Sequence, residues 1–405
     1  MIVLAGADIV LPDRVLAGGS LILDGTRITA IEPHAIDTPA GALRLDLSGH
    51  IVVPGFIDVH VHGVAGHDVL EGPDAVGEVA ARLPEFGVTA FCPTSIACHP
   101  AALAVMLQAV GRLQDGGGVP RARVLPAHLE SNFINPAFHG AQPLDCLRQP
   151  SARFSSDLEE TGHSFSARDI VDTIAAHRAS VGIVTLAPEI DGGLELARDL
   201  GAAGHLVSIG HSGASYDEAH AAIEAGVRHA THLFNRMSPM THRSPGLPGA
   251  LLESDQVVAE LICDGFHVHP ALMHVAIRAK GVHGIMAITD GTAGSGLPVG
   301  SRATLGGRGI IVTARSAELE DGTLAGSVLT MDGAFRTLVR RVGLSLVQAA
   351  GLCATSPARQ LGLRDCGRIE VGVVADLVVL NDQLRVTQTY IGGRLWRNPA
   401  DGPHV

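Results

Sequence analysis

Lysine is almost missing from this chain. Of its 29 basic residues only Lys280 is a lysine, a skew that reads as codon usage rather than chemistry. Cysteine is sparse as well: Cys92, Cys98, Cys146, Cys263, Cys353 and Cys366 show no CxxC pair and no dense spacing. That excludes a disulfide framework and predicts reduced, mostly buried thiols. No segment approaches the ~18 uninterrupted apolar residues of a membrane span. The opening MIVLAGADIVLPD lacks a basic start and meets Asp8 too early for a secretory segment, so it is read as a first strand and the protein is expected to be cytoplasmic. There is no basic run, and the net charge is −12, which makes nucleic acid and anionic membrane poor partners. An anionic substrate would need positive charge gathered locally. No GxGxxG follows the first strand, so a dinucleotide fold has little support.

What the chain does have is apolar content, 46% of 405 residues, with a mean hydropathy of +0.28. That length suits one barrel of about 250–300 residues and a smaller module. The first ~50 residues alternate apolar and polar, as in SLILDGTRITAIEP with its Asp24–Gly25 turn, and the last ~45 do so again, with a Gly392–Gly393 turn. Between them lie eight buried-strand candidates, most of them apolar runs: IVVPGFIDVHVH, VTAFCPTS, VLPAHLE, GIVTLAPE, LVSIGHS, RHATHLFN, VAELICDGFHV and GIMAITDG. Stretches with helical spacing separate them, among them DAVGEVAARLPEFG, ARDIVDTIAAHRAS, LELARDLGAAG and SYDEAHAAIEAG. Alternation of strand and helix predicts an α/β fold with a parallel sheet, and eight repeats predict a (β/α)8 TIM-type barrel. The two chain ends are expected to pair into one small β-sandwich. The expected division is residues 1–53 and 355–405 for the sandwich and 54–354 for the barrel.

The polar residues of these runs stand at their C-terminal tips, where such barrels carry their active sites. His60 and His62 are two apart on a strand and so face one way. Glu130 closes the third run, His211 the fifth, His232 follows the sixth, and Asp290 closes the eighth. Each residue alone fits a satisfied core group or, for Asp290, an Asx turn before Gly291. Their joint recurrence at strand ends predicts a divalent-metal site of imidazole nitrogen and carboxylate oxygen, Zn²⁺ or Fe²⁺. Asp290 is then the candidate proton shuttle.

PGFIDVHVHG, the ITD strand end and the closing GRIEVGVVADLVVL resemble the amidohydrolase superfamily. More narrowly, HLE, FINP, GAQP, GHS, THLFNRM, HRSPG, DGFHV, TDGT and GTLAGS, in that order, resemble the N-acetylglucosamine-6-phosphate deacetylases over nearly the whole chain. One branch of the superfamily bridges two metals with a carboxylated lysine. Lys280, the sole lysine, falls in a helix and excludes that branch, leaving Glu130 as the carboxylate ligand. The resemblance implies that Glu130, His211 and His232 hold the principal metal, that His60 and His62 hold a second, and that Asp290 is general base and then acid. It implies substrate contacts from Asn235, Arg236, His267, Ala141, Gln142, Leu324, Ala325 and Gly326. Arg243 would bind phosphate from the neighbouring subunit of a homodimer. The reaction implied is release of acetate from a phosphorylated amino sugar.

Three positions depart from that pattern. Ser131–Asn132 replace a Gly-Pro turn after Glu130, Arg236 stands where a small residue is common, and Gln142 stands where some members have His. These leave the galactosamine epimer, another N-acyl amino sugar, or a D-aminoacylase-like activity as alternatives. A barrel that had lost its metals would lack ligands, and none is missing here. Of the remaining histidines, His99, His163, His177 and His205 are expected to be solvated, and His128 to lie behind the site. Gly116–Gly118 reads as a surface loop and Arg340–Arg341 as a solvated helix face.

Overall fold

A computed structural model describes residues 1–34, 36, 40–114, 120–154 and 164–398; the Gly116–Gly118 segment and His163 lie outside them. Every one of the eight strand candidates supplies a parallel barrel strand: β1 (Phe56–Val61), β2 (Val88–Ser95), β3 (Ala127–Glu130), β4 (Val181–Leu186), β5 (Leu206–Ile209), β6 (His229–Ala230), β7 (Val258–Ile262) and β8 (Ile285–Ile288). Each pairs with its successor in sequence. β8 returns to β1 through the backbone N–H of Asp290, which donates to the His60 carbonyl at 2.9 Å, and that of His62, which donates to the Gly291 carbonyl at 2.8 Å. The ring is thereby joined on the residues that carry the candidate chemistry.

Helices between the strands start where the sequence supplies caps. Ser166 and Ser215 each accept a bond from the third helical N–H, and Asp169 and Glu218 bond back to the cap N–H, opening Ala167–Ala176 and Tyr216–Glu224. The first turns inward with Ala167, Ile170 and Ile174, the second with Ala219, Ala222 and Ile223. Strands covered on both faces read as continuous apolar runs. Accordingly β2 and β8 are buried along their whole length. Inside the ring, Ile57, Val59, Ala90, Cys92, Ile183, Ile262, Met286 and Ile288 pack as one cluster, joined by Ala358 and Cys366. Truncating one of the large aliphatic members to Ala costs roughly 2–5 kcal/mol, so this plug sets the ring on which the site stands.

The chain ends form one mixed eight-stranded sheet, the small β-sandwich. Ile51–Pro54 pairs antiparallel with Leu377–Leu380, which joins the N-terminal strands to the C-terminal ones. Its core includes Leu4, Ile9, Leu21, Leu23, Ile28, Val52, Leu377, Val379 and Tyr390. Gly392 and Gly393 occupy the turn between Val386–Ile391 and Arg394–Leu395 with φ of +54° and +74°, as a two-residue hairpin with both central residues left-handed requires. The run IVVPGFIDVHVH is not one strand. It changes sheets at Gly55, where a Cβ would collide with the Thr89 side chain, and apolar content alone does not mark that pivot.

A three-stranded antiparallel sheet (Arg302–Leu305, Arg308–Val312, Ala317–Leu319) follows β8 and was not foreseen. Its strands are three to five residues long, too short for alternation to stand out. Cys92, Cys98, Cys263, Cys353 and Cys366 are buried, Cys146 is half-buried, and all six are unpaired. Among the described residues no helix is long and apolar enough to cross a membrane.

Candidate metal centre

At the C-terminal rim the strand ends converge on two adjoining triads. In the first, Glu130 Oε1 lies 2.8 Å from His211 Nε2 and 2.8 Å from His232 Nε2, and the two nitrogens are 3.1 Å apart. In the second, Asp290 Oδ1 lies 3.3 Å from His60 Nε2 and 3.2 Å from His62 Nε2, and those nitrogens are 3.3 Å apart. Glu130 stands between the triads, Oε1 3.9 Å from His60 Nε2 and Oε2 3.8 Å from His62 Nε2. Donor atoms about 2.0–2.2 Å from one divalent ion are separated by roughly 2.9–3.4 Å when they occupy adjacent tetrahedral or octahedral positions. Both triads fall close to that range.

The outer ring nitrogens say which atoms are lone pairs. His211 Nδ1 donates to the Phe138 carbonyl at 2.8 Å and His62 Nδ1 to the Thr94 carbonyl at 2.9 Å. Carbonyls only accept, so both Nδ1 atoms carry protons. A neutral His211 then turns its Nε2 lone pair on the Glu130 carboxylate at 2.8 Å. Only a cation between them, or a second proton, relieves that contact. The donor set, tautomers and spacing therefore fit a divalent ion held by Glu130, His211 and His232, and a second held by His60, His62 and Asp290.

Backbone and charge agree with a strained, functional rim. His211, His232 and Asp290 have φ of +48°, +31° and +50°, a region non-glycine residues enter at a cost of about 1–3 kcal/mol each. Gly326 packs against this turn; a Cβ there would stand 2.9 Å from the Asp290 carbonyl oxygen. Burial by itself raises the Asp290 carboxyl, but hydrogen bonds and charge from His60 and His62 outweigh it and hold it below the usual carboxylate range. Glu130 behaves alike: burial raises it, and His211, His232 and His60 bring it well below. Both carboxylates are thus held as anions beside imidazoles.

A cavity of about 480 Å³ opens above the triads. Its lining includes His62, Glu130, His211, His232 and Asp290, with Ala141, Gln142, Asn235, Arg236, His267, Leu324 and Gly326 from the sequence-derived set. Ala325 is fully buried behind that wall. Arg243 is exposed on the 241–245 loop and is not among the lining residues. Gln142 accepts from the Ala97 backbone N–H at 2.7 Å, and its amide nitrogen donates to Glu130 Oε2. Ser131 and Asn132 are built in: Ser131 Oγ donates to the Thr185 carbonyl, while Asn132 Nδ2 donates to the carbonyls of Cys98 and Cys146 at 2.9 and 2.8 Å. Arg236 is exposed above Gly140.

Among the bland assignments, His99 is exposed and His177 half-buried. His205 is not solvated: it is buried, and its Nδ1 donates to the Val181 carbonyl at 3.0 Å. His128 does lie behind the site, bonded to the Val59 carbonyl and to Thr185 Oγ1. Burial drives its pKa down to about 3. Sequence reasoning passed over Glu260 and His229, buried and bonded to each other at 2.8 Å. It also missed Asp58, which accepts from Thr289 Oγ1 at 2.5 Å and which burial pushes up to about 7, and Asp264, which accepts from His267 Nδ1 at 2.6 Å. The signal was a single charged residue inside an otherwise apolar strand, as in VAELI and GFIDV.

A sequence model of the amidohydrolase family matches residues 51–396. The chain is 36% identical to N-acetylglucosamine-6-phosphate deacetylase of Mus musculus, over 96% of each chain. It is 32% identical to N-acetylgalactosamine-6-phosphate deacetylase of Escherichia coli O157:H7, over 92% of this chain and 93% of that one. Its fold superposes, with a TM-score of 0.85 and 31% identity, on a mutant N-acetyl-D-glucosamine-6-phosphate deacetylase of Mycobacterium smegmatis solved in complex with N-acetyl-D-glucosamine-6-phosphate, covering 97% and 98% of the two chains. With the barrel, the rim of imidazoles and carboxylates and matches of this extent together, the chain belongs to the amidohydrolase family.

Proposed function

We propose that this protein hydrolyses the N-acetyl group of N-acetylglucosamine 6-phosphate, giving glucosamine 6-phosphate and acetate. The observation that carries the reading is the meeting of Glu130 Oε1, His211 Nε2 and His232 Nε2 within 3.1 Å of one another at the floor of a cavity. Those three residues hold the principal ion, Zn²⁺ by preference and Fe²⁺ as the alternative, and His60, His62 and Asp290 hold a second. What such an ion supplies is Lewis acidity, which polarises a carbonyl and lowers the pKa of water to about 7.

The protein's own groups do the rest. Asp290, kept ionised, takes the proton of the attacking water on a side-chain oxygen. As the carbon–nitrogen bond breaks it passes that proton to the departing amine. Glu130 stays an anion throughout: Gln142 donates to Oε2, and Oε1, with the two imidazole nitrogens beside it, would face the ion. His267, aligned by Asp264, and Asn235 face the sugar. Arg236 and, from the partner subunit of a homodimer, a second copy of Arg243 hold the phosphate by guanidinium forks. The protein works in the cytoplasm, and the barrel spans residues 54–354 between the two parts of the sandwich.

A second reading has one observation behind it, the comparable identity to an enzyme named for the galactosamine epimer. Acetate release measured across the 6-phosphates of both N-acetyl sugars, their unphosphorylated forms and N-acetyl amino acids decides between them. Preference for the glucosamine compound and dependence on its phosphate support the main reading. Equal turnover of free N-acetylglucosamine removes the phosphate role, and preference for N-acyl amino acids replaces the reading with an aminoacylase.

A further inference from the structure

Below the two triads, Glu260 of β7 is fully buried, the one charged residue of VAELI. Removing an isolated carboxylate from water costs several kcal/mol, so its partners define what it is for. Oε2 accepts from His60 Nδ1 at 2.8 Å and from the backbone N–H of His232 at 3.1 Å; Oε1 accepts from His229 Nε2 at 2.8 Å. His60 belongs to one triad and His232 to the other, so a single carboxylate oxygen ties both. At His232 the tie falls on a residue whose φ of +31° is held against its own preference. At His60 it falls on the nitrogen that decides the tautomer: an acceptor there keeps the proton on Nδ1 and leaves the Nε2 lone pair facing His62 and Asp290. His229 anchors the far oxygen, and its own Nδ1 has no partner among the described residues, so its hydrogen bonding is spent on Glu260. His128 Nδ1 also stands 3.4 Å from Oε1, while its two nitrogens bond to the Val59 carbonyl and Thr185.

We infer that Glu260 is a positioning residue for both metal clusters: its negative charge fixes the ring of His60 as a lone-pair donor, and the same oxygen braces the main chain of His232 in its strained turn. The inference rests on the metal reading of the triads given above. Because the carboxylate reaches the imidazole of His60 but only the backbone of His232, its charge acts on one cluster more than the other. Outer carboxylates of this kind are worth about 10- to 100-fold in metal affinity.

The test is a titration of Zn²⁺ into chelator-stripped protein, wild type against Glu260→Gln, following the two equivalents separately. The Gln oxygen keeps the bonds to His60 and His232, and its amide faces His229, which accepts by moving its proton to the free Nδ1. Shape is therefore retained and charge removed. Expected is a loss of about 10- to 100-fold at the equivalent bound by His60, His62 and Asp290, with the equivalent bound by Glu130, His211 and His232 changed by only a few-fold. Two ions bound as tightly as in wild type overturn this inference alone. A wild-type chain that takes up no ion overturns the metal reading, and this inference with it. If the variant does not fold, nitrogen NMR of the wild-type zinc-loaded protein decides: His60 protonated on Nδ1 and slow to exchange supports the role, and His60 protonated on Nε2 overturns it.

Discussion

Gln142 gives its side-chain oxygen to the Ala97 backbone N–H, and this decides which end of its amide meets Glu130. An N–H donor at 2.7 Å leaves the amide nitrogen, not the oxygen, facing Glu130 Oε2. Gln142 therefore acts on the carboxylate that both histidines of the first triad share. Gln142→Leu should leave that oxygen without its donor, at a cost of about 1–3 kcal/mol. Zn²⁺ affinity of the first site, read by chelator competition, is expected to fall by roughly tenfold or more. Unchanged affinity would mean that the bond is incidental.

Asp290→Asn preserves size and removes the base. Acetate release is expected to drop by about 10²- to 10⁴-fold, while elemental analysis still finds the ion held by Glu130, His211 and His232. Because Asp290 Oδ1 lies within 3.3 Å of both His60 and His62, the second ion should weaken in the same variant. Near-normal kcat would remove Asp290 from proton transfer.

Arg243 offers a test of assembly. It is exposed and stands apart from the cavity lining of its own chain. Mixing Arg243→Ala subunits with Asp290→Asn subunits should restore activity that neither has alone, since one hybrid site then has its own Asp290 and the partner's arginine. Full activity of Arg243→Ala by itself, or no complementation on mixing, contradicts the shared site.

His205 supplies a pH prediction away from the rim. Burial, with Arg178 adding to it, holds the ring below its ordinary value despite the bond to the Val181 carbonyl. A depressed folded-state pKa means the unfolded chain binds the proton more readily. The stability tied to His205 is thus complete above the ordinary value of about 6.5 and lost as pH falls below it. Urea midpoints at pH 7.5 and 5.5 should differ more for wild type than for His205→Gln. An equal difference would show that other groups carry the acid sensitivity.

The barrel was legible because parallel strands buried on both faces leave mostly apolar runs; RHATHLFN, polar at five of its eight positions, was legible by its place in the alternation of strand and helix. The first-contact residues were legible for a related reason: a polar group at the tip of such a run has no packing role to explain it. What lay hidden depended on pairing across the ring. Glu260 and His229 sit on neighbouring strands, β7 and β6, yet 31 residues apart in sequence, and no local spacing joins them. His205 looked solvated because it follows a helix and a Gly204 turn, and only the packing of that turn against Val181 buries it. The short sheet at 302–319 escaped because strands of three to five residues carry too little alternation to register.

The most direct test of the whole account is to strip the wild-type protein with a chelator, confirm the loss by elemental analysis, and follow acetate release from N-acetylglucosamine 6-phosphate as Zn²⁺ is returned. Activity should vanish with the ion and return with its first or second equivalent per chain. Metal-free protein that releases acetate at the full rate would contradict it.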